Sequence, residues 1–507
     1  MACMLCRPFR ALLRVWPPTQ GVALTFIHIL QTAEVCVENS RTVFGMSEWY
    51  EEELADVDLE DRRLNRRAIR VLGSLGKQPG RSIPGSCRSW AETLGAYRLF
   101  SHGKVSAGRL LAPHVKATTE RMREHPVVLV VQDSTELDYT GKPSMGGLGP
   151  LNWAERQGLF LHLSLAVTPE RLSLGVVEAQ CFARDPSQPH KNATRKQTPI
   201  EEKQSGWWLR SYQEANALAK ELPASKLLSV ADREGDIYEV FVAWQEEEGS
   251  RAGWVIRACQ DRRLTEKVLG AAWSYEKLFA RVGAAPALGE VTFRLPRRGS
   301  RLAREVTQTL RACQVELKPP ARKGEKLPVV RVWAVLAREE DPPAGQEPVE
   351  WLLLTSEPVE TPAAALQILD WYLVRWQIEV FFRTLKSGCR IEHLSLREAA
   401  GLECVLALYL IVAWRVVWVT MLGRLGPDLP ADAVFAEEEW KSVYMVLTHQ
   451  PPPAEPPPLS EFVRMVARLG GHLGRKGDGP PGAQTLWQGL QAMAQCALCW
   501  SAFGPNG

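Results

Sequence analysis

Two aspartates each follow a hydrophobic segment whose β-branched residues are typical of a strand buried on both faces. Asp133 comes at the end of the run 127–132, and Asp232 comes directly after the run 227–231. Because such strand ends face the space beyond a sheet, where α/β proteins place their sites, the two carboxylates together suit a hard cation such as Mg²⁺. The alternative is that each aspartate caps a helix or lies in a turn.

A third set of polar residues falls within the helix that the sequence predicts over residues 362–387. At about 100° per residue, four polar side chains form a stripe only about 60° wide. The remaining circumference is mostly apolar, which favours a buried helix whose stripe faces an occupied polar cleft over a helix with a solvated face. The residues of the stripe are Tyr372, Arg375, Glu379 and Lys386.

Three carboxylates with neighbouring cations are the side chains that metal-dependent phosphoryl transfer requires. Three carboxylates can hold two divalent metals about 3.5–4 Å apart, of which one activates a water or a 3′-hydroxyl and the other stabilises the leaving oxygen. Cations beside them would hold the phosphates of a nucleic-acid strand, and a tyrosine hydroxyl can donate a hydrogen bond to a phosphate. The residue types therefore favour metal-dependent chemistry on a nucleic acid.

The charges of the chain are nearly balanced overall but strongly separated along the sequence. The 507 residues carry 61 Lys and Arg against 58 Asp and Glu, and a hydrophobic content of 45% excludes wholesale disorder. Residues 46–61 contain eight acids and no base, whereas residues 62–123 contain fourteen Lys and Arg and two acids, a local net charge of +12. Such a basic block suits a polyanion as its partner.

Five arginines at the start of this block have the spacing of one helix face. We predict that this face contacts DNA, with Arg62, Arg63 and Arg66 as the leading candidates. The alternative is a solvated basic helix whose charges pair with the acidic run before it. The five residues of the face are Arg62, Arg63, Arg66, Arg67 and Arg70.

The patterning divides the chain into five segments, and strands followed by helices indicate an α/β core. The first segment has a basic and then an apolar stretch, so a targeting role is the alternative to an extension outside the fold. The segments are an extension (1–45), a helical DNA-binding domain (46–124), an α/β core (125–245 and 356–400), a β-rich insertion (246–355), and a helical region (401–507) with a proline-rich loop at 451–458.

The cysteines give no sign of a metal site or a disulfide framework. The chain has eleven cysteines, and its two C-x-x-C pairs, Cys3/Cys6 and Cys496/Cys499, lie at opposite ends without a histidine at ligand spacing. This usage favours a reducing cytosol. The longest apolar stretch, 404–413, is too short to span a bilayer and is predicted to be a buried helix.

The motifs described above resemble the DDE transposases of the bacterial insertion-sequence IS-four group, which includes the Tn-five transposase. The resemblance is carried by Asp133 in Val-Val-Gln-Asp-Ser-Thr, by Asp232 in Ala-Asp-Arg-Glu-Gly-Asp-Ile-Tyr, and by the spacing Tyr-x2-Arg-x3-Glu-x6-Lys. It extends from Met46 to the C-terminus and includes the segments 54–63, 90–98 and 469–482.

The resemblance implies a ribonuclease-H-like catalytic core interrupted by the β-rich insertion. It implies that the N-terminal helical domain binds transposon ends and that the C-terminal helical region supports dimerisation. Asp133, Asp232 and Glu379 would be the metal-binding catalytic triad, with Mg²⁺ as the expected metal and Mn²⁺ as an alternative. Three further residues would contact end phosphates near the cleavage site, namely Tyr372, Arg375 and Lys386.

Two further groups of residues are weaker candidates for DNA contact. Trp351 resembles the family tryptophan that receives a flipped base, and its alternative role is a core residue of a strand. Arg257, Arg262 and Arg263 follow a strand-like segment and are candidates for lining the DNA path.

The expected function is cut-and-paste transposition by a homodimer, in the bacterial cytoplasm at the nucleoid. The protein would bind inverted terminal repeats, nick the DNA, form and reopen a hairpin, and insert the end into target DNA. The alternatives are a structure-specific nuclease with the same core and a non-catalytic DNA-binding protein, such as a transposition inhibitor or a decayed copy. A metal-independent carboxylate-pair glycosidase is disfavoured by the basic block.

Overall fold

The computed structural model describes residues 48–503, apart from gaps at 143, 154, 186–199, 201–202, 204, 268–274, 296, 298–301 and 322–325. The predicted extension 1–45, with Cys3 and Cys6, lies outside the described residues. The fold is mixed α/β, with helices at both ends of the described chain and a mixed sheet between them.

The elements follow one another in a simple order along the chain. The helices are α1 (Trp49–Glu53), α2 (Arg62–Lys77), α3 (Ile83–Ser86), α4 (Trp90–Phe100), α5 (Ala107–Arg123), α6 (Gly206–Glu221), α7 (Tyr238–Glu246), α8 (Leu278–Gly283), α9 (Pro362–Val374), α10 (Trp376–Arg383), α11 (Ala399–Leu425), α12 (Glu437–Thr448), α13 (Leu459–Leu469) and α14 (Ala483–Phe503). The strands are β1 (Val127–Asp138), β2 (Gly149–Pro150), β3 (Gln157–Val167), β4 (Ser173–Phe182), β5 (Lys226–Ala231), β6 (Gly253–Arg257), β7 (Arg263–Lys267), β8 (Tyr275–Lys277), β9 (Ala287–Leu295), β10 (Arg304–Leu317), β11 (Val330–Arg338) and β12 (Glu350–Thr355).

The described chain forms two compact units. Unit one contains His125–Asp133 and the described part of His190–Trp376. Unit two contains the described parts of Ala23–Glu124, Ser134–Pro189 and Gln377–Gly507. The described chain passes from one unit to the other four times: after Glu124, inside strand β1, between Asp185 and Ile200, and at the start of α10.

The sheet of unit one begins with three parallel strands and continues with antiparallel ones. The start of β1 pairs in parallel with β5, and β5 pairs in parallel with β6. Residues 128–131 and 227–231 are all buried, as parallel strands covered on both faces require. Strand β12 then pairs antiparallel with β6, and the antiparallel pairing continues through β11 and β10 to β9 and β7.

The position of Asp133 differs from the prediction, because the strand does not end there. Strand β1 continues to Asp138, and only the continuously buried run ends, at Gln132. Residues 133–136 are half-buried and Leu137 is buried again, and the strand conformation persists beyond the apolar run. Asp232, in contrast, directly follows the end of β5, as predicted.

The helix predicted over residues 362–387 is divided into three parts. The backbone N–H of Arg375 bonds to the carbonyl of Tyr372, a tighter i→i−3 turn that separates α9 from α10. After α10 the residues Thr384–Gly388 form a π-helical turn, where the Thr384 hydroxyl donates to the carbonyl of Val380 at 2.9 Å. Such side-chain bonds bend helices. A uniform rotation of 100° per residue about one helix axis therefore does not describe the positions of the side chains from Tyr372 to Lys386.

The long helix α11 forms the centre of unit two. Its 27 residues are apolar enough to cross a membrane by length and composition alone, but most of its apolar stretch is buried inside the protein. A buried core helix of this kind satisfies the same criterion, and it agrees with the predicted buried helix. The indole N–H of Trp414 on α11 donates to the carbonyl of Ser173 at 3.0 Å.

A buried polar network in unit two is centred on His114 of α5. Its Nε2 accepts a hydrogen bond from the backbone N–H of Val176 at 2.9 Å, so Nδ1 carries the proton and donates to Oε1 of Glu53 at 2.5 Å. Arg121 Nη2 lies 3.0 Å from the same carboxylate oxygen. Burial acts to raise the pKa of Glu53, but Arg121 and His114 together outweigh this effect and lower the pKa to about 2.

We expect the free energy of unfolding to fall as the pH drops below about 6.5. Burial lowers the pKa of His114, and it lowers the pKa of His162 to about 3, so the folded state keeps both rings neutral while the unfolded state takes up protons. For His162 alone the loss is about 2 kcal/mol at pH 5. The depressed pKa of Glu53 adds a further loss between about pH 4 and pH 2, since its stabilisation is present only above that range.

Urea unfolding between pH 8 and pH 4.5 measures this dependence. Replacing the exposed His449 with Asn is the matched control and should leave the pH profile unchanged. A flat profile between pH 7 and pH 5 in the natural chain would contradict the prediction.

Candidate nucleic-acid interface and catalytic carboxylates

The basic face predicted on α2 is present and exposed. Asp61 caps the helix by accepting from the backbone N–H of Arg63 at 2.7 Å. Leu64, Ala68 and Leu72 bury the opposite side of the helix. Four of the five arginines are exposed and the fifth, Arg67, is half-buried. Within the described part of the chain, none of the five forms an ion pair.

The acidic run before α2 pairs with other cations, so its pairing with the α2 arginines, the alternative considered for this helix, is wrong. Most of these partners lie on α5, and one lies at the last residue of α2. The pairs with their shortest distances are Glu48 with Lys77 (2.6 Å), Glu53 with Arg121 (3.0 Å), Asp56 with Lys116 (2.5 Å), and Glu60 with Lys104 (3.6 Å) and with Arg109. The arginine face therefore keeps its positive charge available.

Asp133 and Asp232 lie at the same level of two neighbouring parallel strands in unit one. Val131 pairs with Val230, so each aspartate follows a paired residue by two positions. Neighbouring strands are about 4.8 Å apart, which brings the two backbone positions close together. The two hydrophobic runs predicted that both aspartates belong to one sheet, whereas the register of the two strands is given by the structure.

Each aspartate also has a partner within unit one. Oδ2 of Asp133 lies 2.9 Å from Nη1 of Arg375, and the two side chains are 16% and 4% exposed. Oδ1 of Asp232 accepts from the backbone N–H of Glu234 at 2.8 Å and caps the short helix Arg233–Gly235. The turn-and-cap role considered for Asp232 is therefore real, and it leaves the second carboxylate oxygen for another ligand.

Glu379 and Lys386 lie in unit two, where both are half-buried. Lys386 Nζ donates to the carbonyl of Glu136 and lies 3.7 Å from Oε1 of Glu392. Burial lowers the pKa of Lys386, although Glu392 and Glu136 oppose this effect. Lys386, which was predicted to contact a phosphate, therefore already contacts hydrogen-bond acceptors of unit two.

The candidate metal ligands suit a hard divalent cation by their chemistry. Asp133, Asp232 and Glu379 all offer carboxylate oxygens, the donors that Mg²⁺ prefers. The Asp133 carboxylate already faces a cation, the guanidinium of Arg375. Across residues 48–503, as far as they are described, no three His, Cys, Asp or Glu side chains gather into a metal-binding cluster.

Five residues predicted to contact DNA are buried, namely Arg262 and Arg375 together with Trp351, Arg257 and Tyr372. Trp351 is 5% exposed and stacks on Phe293 with ring centroids 6.1 Å apart, which is the core role considered for it. Arg257 is buried and donates to the carbonyl of Glu350 at 3.2 Å, so it does not line an open DNA path. Tyr372 is likewise buried on α9.

Asp236 is a structural residue that the sequence reading did not single out. Its side chain accepts from the backbone N–H groups of Cys259 and Gln260 and from Arg262, whose Nη2 lies 2.6 Å away. Both members of this ion pair are buried. The sequence feature that could have identified Asp236 is its place in the segment Ala-Asp-Arg-Glu-Gly-Asp, four residues after Asp232. Arg262, offered above for the DNA path, therefore holds the loop beside this turn.

Replacing Arg262 with Ala should destabilise the protein by about 3–5 kcal/mol, because it leaves a buried carboxylate without its cation. Replacing the adjacent, exposed Arg263 with Ala should change the free energy of unfolding by less than about 0.5 kcal/mol. Chemical denaturation of the two variants measures the difference. Equal stabilities would show that the Arg262 pair contributes nothing to the fold.

Three family models match the chain. A transposase DNA-binding domain matches residues 46–105, a transposase DDE domain matches residues 213–415, and the transposase Tn5 dimerisation domain matches residues 411–499. The first match contains the arginine face of α2, and the second contains Asp232 and Glu379. The DNA-binding match supports DNA as a partner of the chain, and the dimerisation match supports a second copy of the chain as a partner. DDE transposases cleave and transpose DNA and typically use divalent metals. The chain is therefore a DNA transposase of the Tn5-like DDE family.

Proposed function

We propose that this transposase moves DNA by a metal-dependent cut-and-paste route. It would bind inverted terminal repeats, nick the DNA, form and resolve a hairpin, and join the freed 3′-end to target DNA. The observation that supports this most is the shared register of Asp133 and Asp232 on neighbouring strands, with Arg375 at hydrogen-bond distance from Asp133. Two carboxylates at one level of a sheet, beside a buried cation, suit phosphate chemistry.

Asp133, Asp232 and Glu379 are the residues that would hold the Mg²⁺ ions. When bound, the metal would activate the attacking hydroxyl and stabilise the leaving oxygen. Arg375 and Lys386 carry the charges that would orient a phosphate, and Tyr372 carries a hydroxyl that could donate to it once the helix opens toward DNA. The five arginines of α2 would track the backbone of the terminal repeat.

The proposal includes a ribonuclease-H-like arrangement for 125–245 and 356–400, interrupted by the insertion 246–355. Residues 46–124 would bind the transposon ends, and residues 401–507 would hold two copies together in a synaptic complex. The three parallel strands β1, β5 and β6 support the core assignment. The working location would be the nucleoid in a bacterial cytoplasm.

The test is cleavage of a duplex that carries the element's own flanking repeats, with Mg²⁺ and a supercoiled target plasmid. A 3′-hydroxyl or hairpin end, followed by joining to the target, would support the proposal. Cleavage without joining would favour a structure-specific nuclease. Binding without cleavage would favour a non-catalytic DNA-binding protein.

A further inference from the structure

Unit two contains a basic pocket with a volume of about 560 Å³. One wall is residues 80–85, which include the start of α3, together with Tyr97, and the other wall is formed by Arg390 and residues 393–395. The basic side chains of the lining are Arg81, Arg390 and His393, and no acidic residue is among those that line the pocket. Pockets of this size take ligands the size of a nucleotide.

The two guanidiniums of this pocket are not committed to protein partners. Arg81 and Arg390 are exposed, and neither forms an ion pair with any residue that the structure describes. Arg121 and Arg156 of the same unit, by comparison, are paired with carboxylates. Two unpaired cations that face one cavity produce a positive potential that attracts an anion.

The backbone around these arginines is fixed. The hydroxyl of Tyr409 donates to the carbonyl of Arg81 at 3.3 Å. A Cβ at Gly80 would lie 3.0 Å from the carbonyl oxygen of Gly388 and closer still to the side chain of Gln491, so a larger residue would displace this loop. Arg390 has a φ of 52°, a left-handed conformation that costs a non-glycine residue about 1 kcal/mol or more and persists only where the surroundings hold it.

We propose that this pocket binds a backbone phosphate of the DNA substrate, with Arg81 and Arg390 as its ligands. An arginine fork can hold a phosphate through two hydrogen bonds, and the pocket brings two such forks to one place. Arg81 lies within the segment that matches the DNA-binding domain, and Arg390 lies within the segment that matches the DDE domain. One phosphate would therefore link the segment that recognises DNA to the segment that follows the catalytic helix. This inference rests on the proposed binding of terminal repeats.

The test measures how binding of the terminal-repeat duplex depends on salt in the full chain, for Arg390→Gln and Arg81→Gln. Each variant should bind about tenfold more weakly at physiological salt, and the slope of log K against log salt should become shallower by about 1. Arg464→Gln, an exposed arginine on α13 outside the pocket, is the control and should match the natural chain. Melting temperatures of all variants exclude unfolding as the cause.

Phosphate ethylation interference then identifies the group that is bound. One phosphate whose ethylation weakens binding of the natural chain should have no effect on binding of the Arg390 and Arg81 variants. If both variants keep the natural slope and interference pattern, the pocket holds no phosphate and the proposal is wrong, while repeat binding stands. If the natural chain itself fails to distinguish the repeat from unrelated duplex, the proposed function fails and this inference fails with it.

Discussion

Replacing Glu379 with Gln should abolish strand cleavage while leaving binding of terminal-repeat DNA intact. The substitution keeps the size of the side chain but removes the negative charge that would hold a divalent metal. We expect cleavage to slow by about a thousandfold or more, which corresponds to about 4 kcal/mol of lost transition-state stabilisation. Single-turnover cleavage and fluorescence anisotropy on the same labelled duplex measure the two properties.

Glu403→Gln is the matched control for this substitution. Glu403 lies on α11 in the same unit as Glu379, and burial raises the pKa of its carboxyl group. The control should cleave at nearly the natural rate, since this carboxylate has no proposed role. Natural cleavage by the Glu379 variant would remove it from the triad, and loss of both cleavage and binding would indicate a folding defect.

Replacing Arg375 with Gln should increase the affinity of the DNA-free protein for Mn²⁺ by about tenfold or more. A guanidinium and a divalent ion about 5 Å apart repel by several kcal/mol even at an effective dielectric constant of about 20. In the metal-free state the same substitution should be destabilising, because it leaves the largely buried Asp133 without its cation. Metal should then restore stability, since binding to the folded state alone raises the melting temperature.

Melting temperatures with and without millimolar Mn²⁺ distinguish this interpretation from a merely structural role. The rise in melting temperature should be larger for Arg375→Gln than for the natural chain. Adding Asp133→Asn in the same chain should remove the rise, because the carboxylate is then gone. Equal shifts for the natural chain and Arg375→Gln would show that the guanidinium and the metal do not compete for Asp133.

The parts of the fold that could be predicted are those in which local pattern and burial agree. The apolar runs 127–132 and 227–231 gave two buried strands, and their parallel pairing placed Asp133 and Asp232 at one level. The spacing of the arginines in 62–70 gave an exposed basic face, because Leu64 and Leu72 bury the opposite side. The apolar segment at 404–413 gave the centre of α11.

The parts that could not be predicted depend on residues distant in sequence. The pairing of Arg375 with Asp133 joins residues 242 positions apart, and no local pattern encodes it. The π-helical turn after Arg383 arises from backbone hydrogen bonding that a helical projection ignores. The sequence left the core role of Trp351 as an alternative, and the packing of β12 against its neighbours decides the burial of Trp351 and Arg257.

The pairing of the acidic run 48–61 with α5 has a practical consequence for engineering this protein. Because these acids precede the arginine face, replacing them with lysine is an obvious strategy for increasing DNA affinity. Such replacements would remove the partners of Lys77, Lys116 and Arg121, and they would weaken the pairing of the acidic run with α5 and with the end of α2. A screen for tighter DNA binding at these positions should therefore return variants that are poorly expressed. Substitutions that add positive charge on the exposed face of α2 itself are the safer route.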